Sequence, residues 1–218
     1  ADGIRIAREI TRKLGWNDGH SEEVQPDYPE PLYDAEDILG LIPQDPKTPY
    51  DVREIIARIA DGSDFLEFKP VFDIGTICGH IEIHGFSLGV IGNNAPITAN
   101  GAAKAGQFIQ LCEQSNTPIV FLHNTTGFIV GTAAERAGII KHGAKLIQAV
   151  TNSRIAKISV VVGGSYGAGN YAMCGRGMGP RFMFAWPRSV VSVMGPAQAG
   201  SVMRTVAEAK MARSGEVD

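Results

Sequence analysis

Three overlapping patterns that could support chemistry lie in one stretch of the chain, ISVVVGGSYGAGNYAMCGRG at residues 158–177. The segment GGSYG matches G-x-S-x-G, the turn that presents the nucleophile of many hydrolases, and places Ser165 at its centre. The segment from Gly167 to Ala172 matches G-x-G-x-x-A, which lets a backbone approach the pyrophosphate of a dinucleotide. A third interpretation gives no side chain a chemical role and uses only backbone N–H groups.

The serine interpretation requires a histidine and an acid as partners. In α/β-hydrolases the chain order is serine, acid, histidine. Here all five histidines precede Ser165, and the first acid after it is Glu208. Other folds use other orders, so His123 or His142 could in principle serve as the base. Because short glycine motifs arise by chance in a glycine-rich chain, hydrolysis is kept only as an alternative.

The dinucleotide interpretation requires an acidic residue about 20 positions after the glycines, where it binds a ribose hydroxyl. No Asp or Glu lies between Ala172 and Glu208. The motif also lacks a long amphipathic helix directly after it. These two absences from the sequence argue against a nucleotide site.

A second histidine pattern, HIEIH, places His80, Glu82 and His84 on one face of a predicted strand, at a spacing that a metal ion could use. No fourth ligand is evident in the sequence. We therefore predict a solvent-facing strand face, with Ile81 and Ile83 directed into the core.

Composition excludes several classes of function. The chain has 218 residues, of which 44% are apolar and 20% are charged, and its net charge is −3. This charge gives no reason to expect a nucleic-acid partner, and no apolar run is long enough to cross a membrane. The three cysteines are widely spaced and odd in number. They fit reduced thiols, so we expect a cytoplasmic protein, or one of the mitochondrial matrix if the source is eukaryotic.

The periodicity of apolar residues predicts an α/β fold in which helices cover a sheet. A helix begins near Asp51, a candidate N-cap, and its apolar face is formed by Val52, Ile55, Ile56 and Ile59. Two short strands joined at Gly85 predict a hairpin. Two units of buried strand, glycine loop and helix follow, so two glycine loops are expected to converge at one edge of the sheet.

Two further elements are predicted after these loops. Residues 132–154 read as one helix, whose apolar face comprises Ile139, Ile140, Ala144 and Ile147. Phe182, Phe184 and Trp186 alternate along a short strand, which is typical of core positions.

The two glycine loops, HNTTGFIVGT and GGSYGAGNYAMCG, carry no convincing general base. Glycines allow a ligand to approach the backbone, and the start of a helix offers free N–H groups with a positive dipole end. Such donors stabilise an enolate or another oxyanion. This backbone site suits carbon-acid chemistry on a thioester without a protein nucleophile.

Several segments in order resemble one known family, the β (carboxyltransferase) subunits of biotin-dependent acyl-CoA carboxylases. They are DVREIIARIADGSDFLEFKP, GNNAPITANGAAKAGQFIQLC, NTTGFIVGT, GIIKHGAKLIQAV and VVGGSYGAGNYAMCGRGMGPRFMFAWP. The branch that acts on 3-methyl-enoyl thioesters, methylcrotonyl-CoA and geranyl-CoA carboxylase, is the most similar. The resemblance implies that residues 1–48 are the end of a preceding half with the interdomain segment. Residues 49–218 would then be a C-terminal carboxyltransferase domain that is incomplete at its C-terminus.

The resemblance implies a crotonase-like fold of ββα spiral repeats and a site formed between chains. Acyl-CoA would lie mainly against an N-terminal carboxyltransferase half, and biotin carried on a biotin carboxylase/biotin carrier α subunit would enter from the present half. The family assembles as trimers, often hexamers. Alone, this chain is expected to lack full carboxylase activity.

The resemblance also implies the site residues. An oxyanion hole for the biotin enolate would be formed by backbone N–H groups at Gly127, Phe128, Gly167 and Ala168. Gly131 and Thr132 would form a wall, and Tyr166 or Asn170 would contact the biotin ring. Ser165 would be a loop residue and not a nucleophile. A non-catalytic assembly module of the same fold stays as an alternative.

Overall fold

The computed structural model describes residues 2–14, 27–43 and 48–214, and one mixed β-sheet lies at its centre. The strands found in these ranges are β1 (Leu66–Glu67), β2 (Thr76–Ile83), β3 (Phe86–Asn93), β4 (Ile119–Thr125), β5 (Lys157–Tyr166), β6 (Phe182–Ala185) and β7 (Val190–Ser192). The sheet order is β1-β2-β3-β4-β5-β6, and β7 pairs with the end of β5. β1, β2 and β3 pair antiparallel, whereas β3 to β6 run parallel, as crossover helices require.

Helices cover both faces of the sheet, as the sequence predicted. Those in the described ranges are α1 (Asp2–Lys13), α2 (Ile38–Leu41), α3 (Arg53–Ile59), α4 (Ala99–Gln114), α5 (Thr132–Arg136), α6 (Ile139–Asn152), α7 (Gly167–Ala172) and α8 (Pro196–Ser214). The core on one face joins α4, α6 and the end of α7 to the sheet. The core on the other face joins α3 to the sheet. None of the helices in the described ranges meets the length and hydropathy needed to cross a membrane.

The hairpin and the helix near residue 50 confirm two predictions. β2 and β3 are joined by His84 and Gly85, both with positive φ, and the Asp61 carboxylate accepts both of their N–H groups at 2.9 and 2.7 Å. Helix α3 begins at Arg53, and the Asp51 side chain accepts the Arg53 N–H at 2.9 Å. The predicted apolar face of α3 is buried in its first three members and partly buried at the fourth.

The prediction of one helix over residues 132–154 is wrong, because Gly138 takes a left-handed conformation with φ of 86° and separates α5 from α6. Helix α6 also buries a different face from the predicted one. Its buried stripe comprises Ile139, Gly143, Leu146 and Val150. Ile140, predicted to lie in the core, is 74% exposed, and Ala144 is also exposed.

The predicted burial of Phe182 and Phe184 is also wrong, since these side chains are 56% and 55% exposed. They pair with Ile158 and Val160 of β5 and therefore share the face that α3 covers. The seven residues of α3 pack against the centre of the sheet and leave the β6 edge uncovered. The two rings stack on each other at 6.3 Å between centroids.

The prediction that His80 faces solvent is wrong. His80 is buried, because both faces of β2 are covered. Ile81 belongs to the α3 side, as predicted, while the His80 ring lies 5.1 Å from the Phe108 ring of α4. Burial lowers the pKa of His80 to about 4. Among the described residues, no group of His, Cys, Asp and Glu is arranged to hold a metal ion.

The connection between α6 and β5 depends on Glu113 at the end of α4. Its carboxylate accepts the Ser153 hydroxyl at 2.6 Å and the Arg154 N–H at 2.9 Å. The hydrogen bond from Ser153 is the main reason why the pKa of Glu113 is lowered. The ionised form is therefore favoured by folding, and this stabilisation is present above the ordinary Glu pKa and lost as pH falls through the lowered value.

We predict that Glu113→Gln lowers the free energy of unfolding at pH 7 and that its difference from the unchanged chain shrinks as pH falls below about 4.3, the ordinary Glu pKa. Urea unfolding at pH 7, 5 and 3 measures this difference. Glu208→Gln, on the exposed face of α8, is the matched control and should show little change at any pH. A Glu113→Gln difference that stays constant with pH contradicts the assignment.

Candidate active site

A β-bulge at the end of β5 shapes the candidate site. His123 pairs with Val161 and Thr125 pairs with Ser165, so two steps along β4 match four steps along β5. Gly163 and Gly164 occupy the extra length. A Cβ on Gly163 would overlap the Asn124 side-chain oxygen, and a Cβ on Gly164 would lie 2.7 Å from the Tyr166 ring. A side chain at either position would therefore require Asn124 or Tyr166 to move.

Helix α7 begins directly after the bulge, at Gly167. Gly167 has φ of 52°, in the left-handed region that favours glycine, and a Cβ there would lie 3.0 Å from the Val193 carbonyl oxygen. The first N–H groups of a helix have no acceptor within it. The N–H groups of Gly167 and Ala168 are therefore available near the surface, where Ala168 is exposed.

The loop at residues 125–131 carries the other predicted donors. The Gly127 carbonyl accepts the Ile97 N–H at 2.9 Å, and the Ile129 N–H donates to the Ile97 carbonyl at 3.0 Å. This parallel bridge turns the Phe128 N–H away from Ile97. The Gly127 N–H instead donates to the Thr125 hydroxyl at 3.2 Å.

The two glycine loops converge, as the sequence predicted. A Cβ added to Gly169 would lie only 2.6 Å from the Gly127 Cα, so the two backbones are in direct contact. The loop at 125–131 also reaches α6, where a Cβ on Gly143 would lie 3.0 Å from the Phe128 ring. Gly131 and Thr132 lie exposed at the outer end of this loop, where α5 begins.

The prediction that Ser165 is a loop residue is wrong, because it lies inside β5 and has no exposed surface. Its hydroxyl lies 2.9 Å from His123 Nδ1 and accepts the Asn170 side-chain N–H at 2.9 Å. His123 is completely buried, and burial lowers its pKa to about 4. The structure thus pairs Ser165 with one of the two histidines that a hydrolase could have used, but a fully buried hydroxyl cannot reach a substrate.

An open groove of about 390 Å³ adjoins the site beside Phe128. It has Ile129 on one wall and Ile140, Ala144 and Ile147 of α6 on the other, with the exposed Glu135 at its rim. The sequence does not reveal this groove, because the apolar residues of α6 have the spacing of a core-facing stripe. Tyr166 and Asn170, the predicted ring contacts, are both partly buried beside α7.

The mixed sheet, its covering helices and its two touching glycine loops define an α/β protein. The family model for the carboxyl transferase domain matches residues 1–218, and the chain belongs to this family. Its fold is therefore crotonase-like, as the resemblance implied.

Relatives and solved structures agree with this assignment. The chain is 46% identical, over its whole length, to a probable biotin-dependent acyl-coenzyme A carboxylase beta2 subunit of Mycobacterium tuberculosis, of which it covers 41%. It is 48% identical to a probable mitochondrial methylcrotonoyl-CoA carboxylase beta chain of Drosophila melanogaster, over 86% of this chain and 32% of that one. The chain thus spans less than half the length of the curated relatives it matches.

Among solved structures, the beta subunit of geranyl-CoA carboxylase from P. aeruginosa is 65% identical, with a TM-score of 0.82 over 95% of this chain and 40% of that one. The transcarboxylase 12S structure is 32% identical, with a TM-score of 0.83 over 91% of this chain and 40% of that one.

We predict that Gly169→Ala destabilises the chain by about 1–3 kcal/mol, because the added methyl group forces apart two backbones that touch. Gly106→Ala in α4 is the matched control. Its Cβ would meet Leu146 at an ordinary 3.7 Å, and alanine favours the helix by up to about 1 kcal/mol. Urea unfolding of both variants checks the prediction, and equal stability of the two would show that the loops do not touch.

Proposed function

We propose that this chain supplies the biotin-facing half of a carboxyltransferase site, which transfers a carboxyl group from carboxybiotin to the γ carbon of a 3-methyl-enoyl-CoA. The direct contact of the two glycine loops at Gly127 and Gly169 is the observation that carries this proposal, because it brings two sets of backbone donors to one place. Similarity to geranyl-CoA and methylcrotonoyl-CoA carboxylase beta chains supports it.

The residues present fit a flat ureido ring with an aliphatic chain. A Cβ on Gly131 would meet nothing within 4 Å, so the outer wall is open, and the adjoining groove is lined by apolar side chains. When bound, carboxybiotin supplies CO₂ by cleavage of its N–C bond and takes up the proton that leaves the γ carbon, so that the new C–C bond forms on the thioester substrate.

The chain's own contribution is to stabilise negative charge with backbone N–H groups. We assign this role to the N–H groups of Phe128 and Ala168, with Gly167 beside them. The N–H of Gly127 is occupied by the Thr125 hydroxyl, so Gly127 contributes by its shape. Donors fixed before the reaction cost no reorganisation when charge develops, and each is worth about 3–4 kcal/mol of transition-state stabilisation.

Side chains around these donors shape the pocket. Tyr166 contacts the ring, and Gly131 and Thr132 form the outer wall. The amide of Asn170 is already bonded to Ser165, so its contact with the ring is secondary.

The partners follow from the length of the relatives. Because the chain spans about two fifths of similar beta subunits, we propose that acyl-CoA binds mainly to an N-terminal carboxyltransferase half. Biotin arrives on an α subunit with biotin carboxylase and biotin carrier domains, and the site forms in a homo-oligomer, a trimer or hexamer. This chain alone has no full acyl-CoA-dependent turnover.

We predict that Ala168→Pro lowers kcat for carboxyl transfer by about 10²–10³-fold, because it deletes one oxyanion donor. Proline is tolerated in the first turn of a helix, where its missing N–H has no acceptor. Ala168→Ser keeps the N–H and should keep most of the activity. Both variants are assayed in the assembled carboxylase, with circular dichroism to check folding. Full activity of folded Ala168→Pro would exclude this donor.

Substrate choice is tested by combining the chain with a matching N-terminal half and a biotinylated α subunit. We expect carboxylation of geranyl-CoA, with methylcrotonyl-CoA as the comparison substrate, because the 65% identical structure is a geranyl-CoA carboxylase beta subunit. A complex that assembles but binds no biotin analogue and carboxylates neither thioester would favour the non-catalytic assembly module.

A further inference from the structure

A buried polar network beneath the candidate site joins three elements. His123 comes from β4, Ser165 from β5 and Asn170 from α7. The Ser165 hydroxyl lies 2.9 Å from His123 Nδ1 and 2.9 Å from Asn170 Nδ2. His123 and Ser165 have no exposed surface, so neither can touch a ligand.

The proton positions in this network depend on the His123 tautomer, and one arrangement satisfies both contacts of Ser165. The Asn170 amide N–H donates to Ser165 Oγ, so the Ser165 hydroxyl proton is free to donate to His123 Nδ1. His123 must then be neutral, with its proton on Nε2. Its burial and a pKa of about 4 agree with a neutral ring at physiological pH.

The network holds the start of α7. Ser165 lies two residues before Gly167, and Asn170 lies three residues after it, so both flank the first turn of the helix. The glycine bulge places Ser165 opposite Thr125 and within reach of His123. A backbone of glycines and alanine has few side chains of its own to fix its position, so these hydrogen bonds supply the anchor.

We propose that His123, Ser165 and Asn170 are positioning residues that aim the N–H groups of Gly167 and Ala168 at the substrate. This inference rests on the proposed carboxyltransferase function. It assigns a purpose to the serine of the G-x-S-x-G pattern that is neither nucleophilic nor merely structural. A shift of about 1 Å in such donors is sufficient to reduce the rate by about 100-fold.

The first test replaces Ser165 with alanine in the assembled carboxylase. We expect kcat for carboxyl transfer to fall about tenfold to 100-fold, while the KM for acyl-CoA stays within about twofold, because the network lies on the biotin-facing side. The matched control is Ser159→Ala. Ser159 is equally buried in the same strand and donates to the Cys174 carbonyl at 2.6 Å, away from the first turn of α7.

Ser165→Ala loses two buried hydrogen bonds and Ser159→Ala loses one, so both should lower the melting temperature, Ser165→Ala by more. Only Ser165→Ala should lower kcat. Equal kcat losses in the two variants would reduce the network to a structural role and overturn the proposal.

The second test separates hydrogen bonding from packing at His123. His123→Asn keeps an acceptor near the position of Nδ1 but loses volume, whereas His123→Phe keeps volume but has no acceptor. If the network positions α7, His123→Asn retains more kcat than His123→Phe. If packing alone matters, the order is reversed and the proposal fails.

The third test does not depend on activity. Nitrogen-15 NMR of the His123 ring should show a neutral imidazole from pH 6 to 8, and hydrogen exchange of the peptide at 163–175 should be faster in Ser165→Ala than in Ser159→Ala. An assembled enzyme without any carboxyl transfer would refute the proposed function while these signals stay as expected. Unchanged exchange would refute the network itself.

Discussion

The backbone contact between Gly127 and Gly169 is the constraint on which the rest of the site depends. A single methyl group between them would leave 2.6 Å to the nearest carbon, so any side chain at residue 169 separates the loops. Just before the contact, the register between β4 and β5 shifts at the bulge that contains Gly163 and Gly164. The glycines of this stretch match the patterns of a nucleophile turn and of a dinucleotide-binding loop. In this fold they instead allow two chain segments to pack closely.

The helical layer fixes one side of this contact. α4 and α6 pack closely because Gly106 faces the Leu146 backbone, and α6 in turn meets the Phe128 ring at Gly143. The Phe128 side chain is thus anchored in the layer while its backbone faces the site. The groove beside it is lined by Ile140, which α6 exposes instead of burying.

The sequence was sufficient to predict the elements that follow from periodicity and from glycine chemistry: the α/β class, the Gly85 hairpin, the face of α3 and the convergence of two loops. It was not sufficient where tertiary context decides. The face that α6 buries depends on how the helix packs against α4 and the sheet, which a one-dimensional pattern does not show. The exposure of Phe182 depends on how far α3 reaches, and the burial of His80 depends on a helix that lies against the second face of β2.

Ser165 shows why a motif and a contact together do not make a nucleophile. The motif is present, and a histidine lies 2.9 Å from the hydroxyl, yet the features that activate a serine are missing. Its oxygen is already bonded on two sides and has no surface, while burial stabilises the neutral imidazole and not the imidazolium that a general base must become. The proposed function places reactivity elsewhere, at the start of α7, where Ala168 is exposed. In that proposal the reactive groups are backbone N–H donors, and a buried serine that is bonded to both His123 and Asn170 is better suited to hold them still than to react.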